Sequence, residues 1–258
     1  MSGAPLAAQA ERLRALHRGE RPLVLPNAWD ATSARVLTEA GFPAIASSSA
    51  AVARALGGED GDATPAKEMF AVLRRIGAVA AEAGIPLTAD VENGYGLGAD
   101  ELVERLLEAG AVGLNLEDTD HASGGGLVDA GAQAERIAAV KQASREAGVD
   151  LVLNARLDAA LNGAGVEESL SRARRYVAAG ADCVYPILLE DEAAIARHVA
   201  EAGAPVNTLL RPGSPSLRRY TELGVARIST GNALAAQAYG ALGRAASSLL
   251  AGEDPWAA

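Results

Sequence analysis

Eight short apolar runs punctuate this chain, and most of the stretches between them carry apolar residues at helical spacing. The runs cover residues 21–26, 44–46, 85–90, 112–117, 151–156, 182–185, 205–209 and 225–229. Residues 6–17 read as a leading helix, and Asp30 as the N-cap of a helix over 31–40. Six helical stretches end in Ala-Gly or Leu-Gly, at Gly84, Gly110, Gly148, Gly180, Gly203 and Gly224, and a strand follows each at once. Glycine takes the left-handed position that stops a helix without a steric penalty, so the pattern predicts a regular alternation of helix and strand. Eight such units in 258 residues predict an α/β fold of the (β/α)8 TIM-barrel type, one domain spanning 1–258. An open, doubly wound sheet gives no reason for eight regular units, and no Gly-x-Gly-x-x-Gly follows the first strand.

Two connections are long for this fold, 53–64 and 118–133. Both are Gly-rich and polar, both follow strands, and both are expected to act as lids over the catalytic end.

Composition narrows the partners. A formal charge of -10 argues against nucleic acid and anionic membrane surfaces, and no run approaches the ~20 apolar residues of a membrane span. The single Cys183 excludes an internal disulfide, so a cytoplasmic setting is expected, with Cys183 a buried small hydrophobe in the sixth strand. His17 and His198 fall on helices and are expected at the surface.

Barrel active sites form at strand C-termini, and acids crowd two neighbouring ones. Asp90 and Glu92 follow the third strand, two residues apart, where strand alternation would aim both the same way. Glu117 and Asp118 end the fourth, with Asn115 before them. The fifth brings Asn154, Arg156 and Asp158, and the seventh brings Asn207. Such acids serve as caps and salt-bridge partners in many proteins, but several converging from adjacent strands suit a hard, oxygen-ligated cation, Mg2+ rather than Zn2+. Arg156 is expected to hold a substrate carboxylate, to neutralise Glu117 or Asp158, or both. Ser47, Ser48 and Ser49 end the second strand, where they make either an ordinary turn or a set of donors for an anion. His121, in the second long loop, is either a solvated histidine or a loop acid–base group.

These motifs, in order, carry a resemblance. Asn27-Ala28-Trp29-Asp30, Ser47-Ser48-Ser49, Leu56-Gly57-Gly58-Glu59-Asp60, Ala89-Asp90-Val91-Glu92-Asn93-Gly94-Tyr95-Gly96, Gly113-Leu114-Asn115-Leu116-Glu117-Asp118 and Asn154-Ala155-Arg156-Leu157-Asp158 resemble the isocitrate lyase / phosphoenolpyruvate mutase superfamily, over about 23–237. The length is similar to its short members.

The resemblance implies a barrel whose last helix is swapped between subunits of a homodimer or tetramer. It also implies Mg2+, with Mn2+ as a substitute, and a small anionic 2-oxo or 2-hydroxy acid as substrate. By position, Asp90 would ligate the metal directly and Glu92, Glu117 and Asp60 through water. Ser48 and Ser49 would present backbone donors to the substrate's carboxylate or oxyanion and Arg156 would clamp its carboxylate side, while Ser47, Asn115, Asn154 and Asn207 are expected around the substrate from their places at the strand ends. Lyase members carry a Lys-Arg-Cys-Gly-His loop that supplies the catalytic proton. Here the loop reads Thr119-Asp120-His121-Ala122-Ser123-Gly124-Gly125-Gly126, which leaves His121 or a water as the acid beside Glu117 and Arg156. The expectation is a lyase that cleaves the C-C bond of a malate-like, isocitrate-like or 2-oxo diacid through a metal-bound enolate. The alternatives are P-C chemistry on a phosphonate and a barrel that binds a 2-oxo acid without turning it over.

Overall fold

Glycine decides where the helices of this chain stop. In the computed structural model, which describes residues 3–256, all six glycines singled out above take left-handed φ values, from 69° at Gly84 to 109° at Gly180. The helix hydrogen bonding closes around them as a C-terminal cap requires: at Gly84, the next N–H, of Ile85, reaches back to the carbonyl of Ala80 at 3.0 Å.

The elements follow in chain order. Helix α1 (Gly3–Leu16) leads into β1 (Leu23–Leu25) and β2 (Asn27–Ala28), one strand interrupted by Pro26, which has no N–H to give a ladder. Then come α2 (Ala31–Glu39), β3 (Ile45–Ser47), α3 (Ser49–Ala55), α4 (Ala66–Glu82), β4 (Leu87–Asp90), α5 (Ala99–Glu108) and β5 (Ala111–Glu117). A small hairpin, β6 (Thr119–Asp120) and β7 (Gly126–Leu127), precedes α6 (Ala130–Glu146) and β8 (Val152–Leu157). A 3-10 turn (Ala160–Asn162), α7 (Val166–Ala178), β9 (Cys183–Pro186), α8 (Glu192–Glu201), β10 (Asn207–Leu209), α9 (Leu217–Glu222), β11 (Arg227–Ser229) and α10 (Ala233–Leu250) complete the chain.

Every ladder outside the hairpin is parallel. One sheet runs β2-β3-β4-β5-β8-β9 and another β1-β11-β10. The split first strand joins them on one side, and a parallel bridge between Val184 and Val206 joins them on the other. The result is the closed eight-stranded barrel that the sequence predicts.

Helix α1 covers the N-terminal end of the barrel. Its Leu13 is fully buried, and a Cβ placed on Gly113 of β5 would come within 2.8 Å of it, so this approach needs glycine. Arg14 then ties α1 to Asp150 and Asp182 at 3.0 Å each. With that end closed, the opposite end, where the strand C-termini and the long loops lie, is left to open.

Asp30 caps α2 as expected, its Oδ1 accepting from the N–H of Ser33. Helix α3 was not foreseen. The first long connection therefore begins after Ala55 rather than at residue 53, and the second contains the hairpin. The structure also overturns the surface placement of the helical histidines, since His17 is 7% exposed and His198 fully buried. Each has Nδ1 against the carbonyl four residues earlier, Leu13 or Ala194, at 2.8 Å, which satisfies one polar atom inside the helix and lets the ring turn inward. Cys183 is buried and free, as expected.

His17 makes stability depend on pH. Burial, with Arg227 of β11 and Arg14 of α1 acting on the ring against Asp182, lowers its pKa from 6.5 to about 4. The folded state thus refuses a proton that the unfolded chain accepts. This costs nothing above pH 6.5 and accumulates as pH falls toward 4, to about 3 kcal/mol. Urea titrations of the His17→Gln protein should lose this part of the acid slope; an unchanged difference in stability between pH 7 and pH 4.5 would contradict it.

Helix α10 buries only Ala235 among its described side chains, and leaves Leu242 66% and Leu250 91% exposed. Trp256, just beyond, is 85% exposed. No helix among the described residues is long and apolar enough to cross a membrane.

Candidate active site

Strand β4 delivers Asp90 to the open end of the barrel, and the neighbouring elements hold it there from three sides. Its N–H donates to Ser47 Oγ at 2.8 Å. Its Oδ2 accepts from both the N–H and the Oγ of Ser49 at 3.1 Å. Its Oδ1 accepts from Asn115 Nδ2 at 3.2 Å. The three serines are therefore more than a turn. Ser47 ends a strand, Ser48 caps α3 through its own Oγ, and Ser49 starts that helix with its N–H on the carboxylate.

The same bonds correct one expectation. The N–H of Ser48 is taken by the carbonyl of Ala28 and that of Ser49 by Asp90, so neither is open to an anion. Ala50, in the first turn of the same helix, lines the cleft, and among the described residues its N–H has no hydrogen-bond partner.

Glu92 reaches the site by a route that strand alternation did not anticipate. The strand ends at Asp90, and Glu92 lies in the left-handed region at φ 52°, as do Tyr95 at 53° and Asp62 at 60°. Three non-glycine residues held there together are strained backbone of the kind that gathers at functional sites. Glu92 is 2% exposed and accepts from the N–H of Asp62, which fastens the first long loop to the site. Burial, then the charge of Asp60, pushes its carboxyl up to about 8. Burial followed by the charge of Asp90 also raises Asp60.

Glu117 ends β5 and is equally buried. Its Oε2 lies 2.5 Å from Arg156 Nη1 and its Oε1 2.5 Å from His121 Nε2. Burial raises this carboxyl, against the opposing pull of Arg156 and His121, while the bond to Glu117 raises His121. Arg156 also grips Asp158 through Nε at 2.7 Å and Nη2 at 3.1 Å. Burial works against its charge, but Glu117, Asp158 and Asp90 outweigh it and hold the guanidinium protonated. Beneath this group, Asp118 accepts from Arg172 Nη1 at 3.1 Å and Tyr176 Oη at 2.8 Å, anchoring the base of the second loop to α7.

The open end forms a cleft of about 290 Å³. Ser48, Ser49, Asp60, Asp90, Asn115 and Arg156 line it, bringing together residues from five segments. Other expected residues lie off its wall. Ser47, Asn154 and Asn207 sit under its floor, where they bond Asp90, Asn115 and Ser229 rather than facing a ligand. All three are at most 1% exposed. Glu92, Glu117 and His121 are also off the wall: Glu117 pairs with Arg156, and His121 Nε2 lies 2.5 Å from Glu117 and 3.9 Å from Glu92. Among the described residues no three His, Cys, Asp or Glu side chains are grouped so as to hold one metal ion directly.

Several cleft residues carried no assigned role in the sequence reading. Asn27 Oδ1 accepts from the N–H of Thr230 at 2.8 Å and of Gly231 at 2.9 Å, tying the first strand to the eighth. Tyr185 and Arg211 also line the cleft, and Arg211 is paired with Glu190 at its rim. Their place at strand ends was the available signal. Ile187, Leu188 and Leu209 supply an apolar wall, with Leu188 at φ 57°. No local pattern marks a leucine for that conformation.

A parallel eight-stranded barrel with carboxylates and an arginine at its C-terminal mouth is an enzyme scaffold for small anions. The chain matches the phosphoenolpyruvate phosphomutase family model over residues 13–250 and belongs to that family, within the isocitrate lyase / phosphoenolpyruvate mutase superfamily of lyases and mutases. It is 35% identical over 219 residues to an uncharacterised protein of Mycobacterium tuberculosis, covering 84% of this chain and 80% of that one. It is 30% identical over 233 residues to the 2-methylisocitrate lyase of Halalkalibacterium halodurans, covering 87% of this chain and 72% of the relative. Among solved structures, oxaloacetate acetylhydrolase in complex with 3,3-difluorooxalacetate superposes with a TM-score of 0.85 at 28% identity, over 95% of this chain and 86% of the other.

Proposed function

We propose that this protein is a Mg2+-dependent carbon–carbon lyase acting on a malate-like or 2-oxo diacid. The observation that carries the reading is one cleft lined by the carboxylates of Asp60 and Asp90 together with the guanidinium of Arg156. The donor set fits a hard cation. The acids are all oxygen donors, the one nearby histidine is committed to Glu117, and a single direct ligand with the rest at longer reach suits an ion that keeps several waters. Mn2+ would substitute for it. When bound, the ion supplies Lewis-acid polarisation of the substrate's 2-oxygen.

The chain's own residues supply the rest. Arg156 receives a carboxylate, fixed by Glu117 and Asp158 so that its free edge keeps one direction. The first-turn N–H of Ala50 faces the same anion. Asn115 and Ser49 hold Asp90 in one rotamer. His121 keeps a proton at Nε2 against Glu117 Oε1, off the cleft wall, from which loop movement or a water would pass it to the product carbon. The apolar wall of Ile187, Leu188 and Leu209 excludes water from the carbon skeleton.

Incubation with Mg2+ and a panel of 2-oxo and 2-hydroxy diacids tests this. Release of pyruvate or glyoxylate is expected from at least one member and none after chelation. Calorimetric binding across the panel without any product would favour a non-catalytic 2-oxo-acid-binding barrel. The family match also supports a second reading, P-C chemistry on a phosphonate, which phosphonopyruvate in the same panel would reveal.

The exposed apolar face of α10 supports a homo-oligomer in which that helix is covered by another subunit, a dimer or tetramer. Light scattering should give a multiple of the 26.2 kDa chain mass, and replacing Leu242 and Leu250 with Glu should dissociate it. A wild-type monomer would contradict this.

A further inference from the structure

Arg227 is the largest side chain in the barrel with no solvent exposure. It starts β11, in register with Leu23 of β1 and Asn207 of β10, and its guanidinium lies inside the barrel beneath the cleft. Burying a cation there is costly unless a partner compensates it, and an apolar residue would fill the space at less cost. Among the described residues its Nε and Nη1 have no hydrogen-bond partner, and its one bond runs from Nη2 to Asn115 Oδ1 at 3.1 Å. Burial weighs against the charge of the guanidinium, and among the described residues Cys183, Tyr185 and then the carboxylate of Asp90 pull the other way.

We propose that Arg227 is a positioning residue that fixes the Asn115 amide and, through it, the carboxylate of Asp90. The direction of the chain follows from what each group can offer. Arginine has donors only, and a carboxylate has acceptors only. Asn115 bridges them with one of each, Oδ1 toward Arg227 and Nδ2 toward Asp90 Oδ1 at 3.2 Å. Turned over, it would set NH2 against the guanidinium and an oxygen against the carboxylate. Asn154 also donates to Asn115 Oδ1, at 2.8 Å, but an amide that can itself rotate sets no direction. Arg227 cannot rotate into an acceptor, so it gives the network its polarity. Outer groups that orient a ligand in this way act on the ligand's geometry without touching the bound ion.

The inference rests on reading Asp90 as a cation ligand, and it differs from an effect of charge alone. A cation placed behind a metal site repels the metal, so deleting it for its field would tighten binding, whereas deleting it for its positioning role loosens binding.

The test uses the wild type, Arg227→Met, Arg227→Lys, Asn115→Leu and the Arg227→Met/Asn115→Leu double variant. Mn2+ affinity is followed by electron paramagnetic resonance, and the Asn115 side-chain amide by 15N NMR, its signal identified by its loss in Asn115→Leu. Arg227→Met should weaken Mn2+ binding by about tenfold, Arg227→Lys should restore part of it, and the double variant should bind no worse than Asn115→Leu. Without any metal, the Asn115 amide protons should exchange roughly ten times faster in Arg227→Met than in wild type, as an opened hydrogen bond allows. Tighter or unchanged Mn2+ binding, or an additive double variant, would overturn the proposal, as would unchanged amide exchange. A wild type that binds no Mn2+ ends the metal reading itself, and amide exchange then decides the role of Arg227 by itself.

Discussion

Replacing Asp90 with asparagine should lower turnover by at least ~10³-fold while the protein stays folded. A group that holds a Lewis-acidic ion contributes several kcal/mol to the transition state, and each 1.36 kcal/mol is about tenfold in rate. The fold should tolerate the change. Asparagine has the same shape, its oxygen still accepts from Ser49 at the cost of the bond from Asn115, and removing the charge relieves the repulsion that raises Asp60. Unfolding temperature and Mg2+-dependent product release, measured together, separate the two effects. A variant that retains more than about a tenth of wild-type turnover would show that the ion, if bound, is held elsewhere.

Arg156→Met should damage stability as well as binding. Arg156 pairs with Glu117, which is 2% exposed, and with Asp158, which is fully buried. Removing one partner of a buried ion pair typically costs about 3–5 kcal/mol, because the other charge stays desolvated. Here two carboxylates lose their partner at once, though protonation of Glu117 offsets part of the loss. The variant should unfold at clearly lower denaturant concentration and should bind oxalate, a minimal dicarboxylate, at least ~10²-fold more weakly. A stable variant with intact oxalate binding would mean that Arg156 serves neither purpose.

The sequence made some of this legible for local reasons. Helix stops are encoded in the residue that performs them, so Gly84 and its five counterparts announced the alternation and, through it, the barrel. Strand ends follow from the same punctuation, which is why Asp90, Asn115, Glu117 and Arg156 are placed near the C-terminal ends of their strands from sequence alone. What escaped depends on contacts between distant segments or on backbone that no pattern marks. Helix α3 lay hidden because Ser49-Ala50-Ala51-Val52-Ala53 has no apolar periodicity, and its first turn is held by Asp90, 41 residues away. Glu92 was placed by alternation along a strand that had already ended. His17 and His198 were read as surface groups because helical spacing does not show that a ring can satisfy itself on its own helix. Ser47, Asn154 and Asn207 stand at strand ends as a ligand-binding residue would, yet they support the floor. The pairing of Arg211 with Glu190 and the buried place of Arg227 are set by closure of the barrel, and nothing in their immediate neighbours distinguishes them.

The central claim is that Asp90 and Arg156 hold opposite ends of a metal–carboxylate complex in one cleft. The direct measurement is anomalous diffraction from crystals soaked with Mn2+ and oxalate. A manganese peak at about 2.1 Å from an Asp90 carboxylate oxygen, with oxalate between it and the Arg156 guanidinium, is the predicted result. A manganese peak away from Asp90, or oxalate bound in the cleft with no metal beside it, would contradict the account.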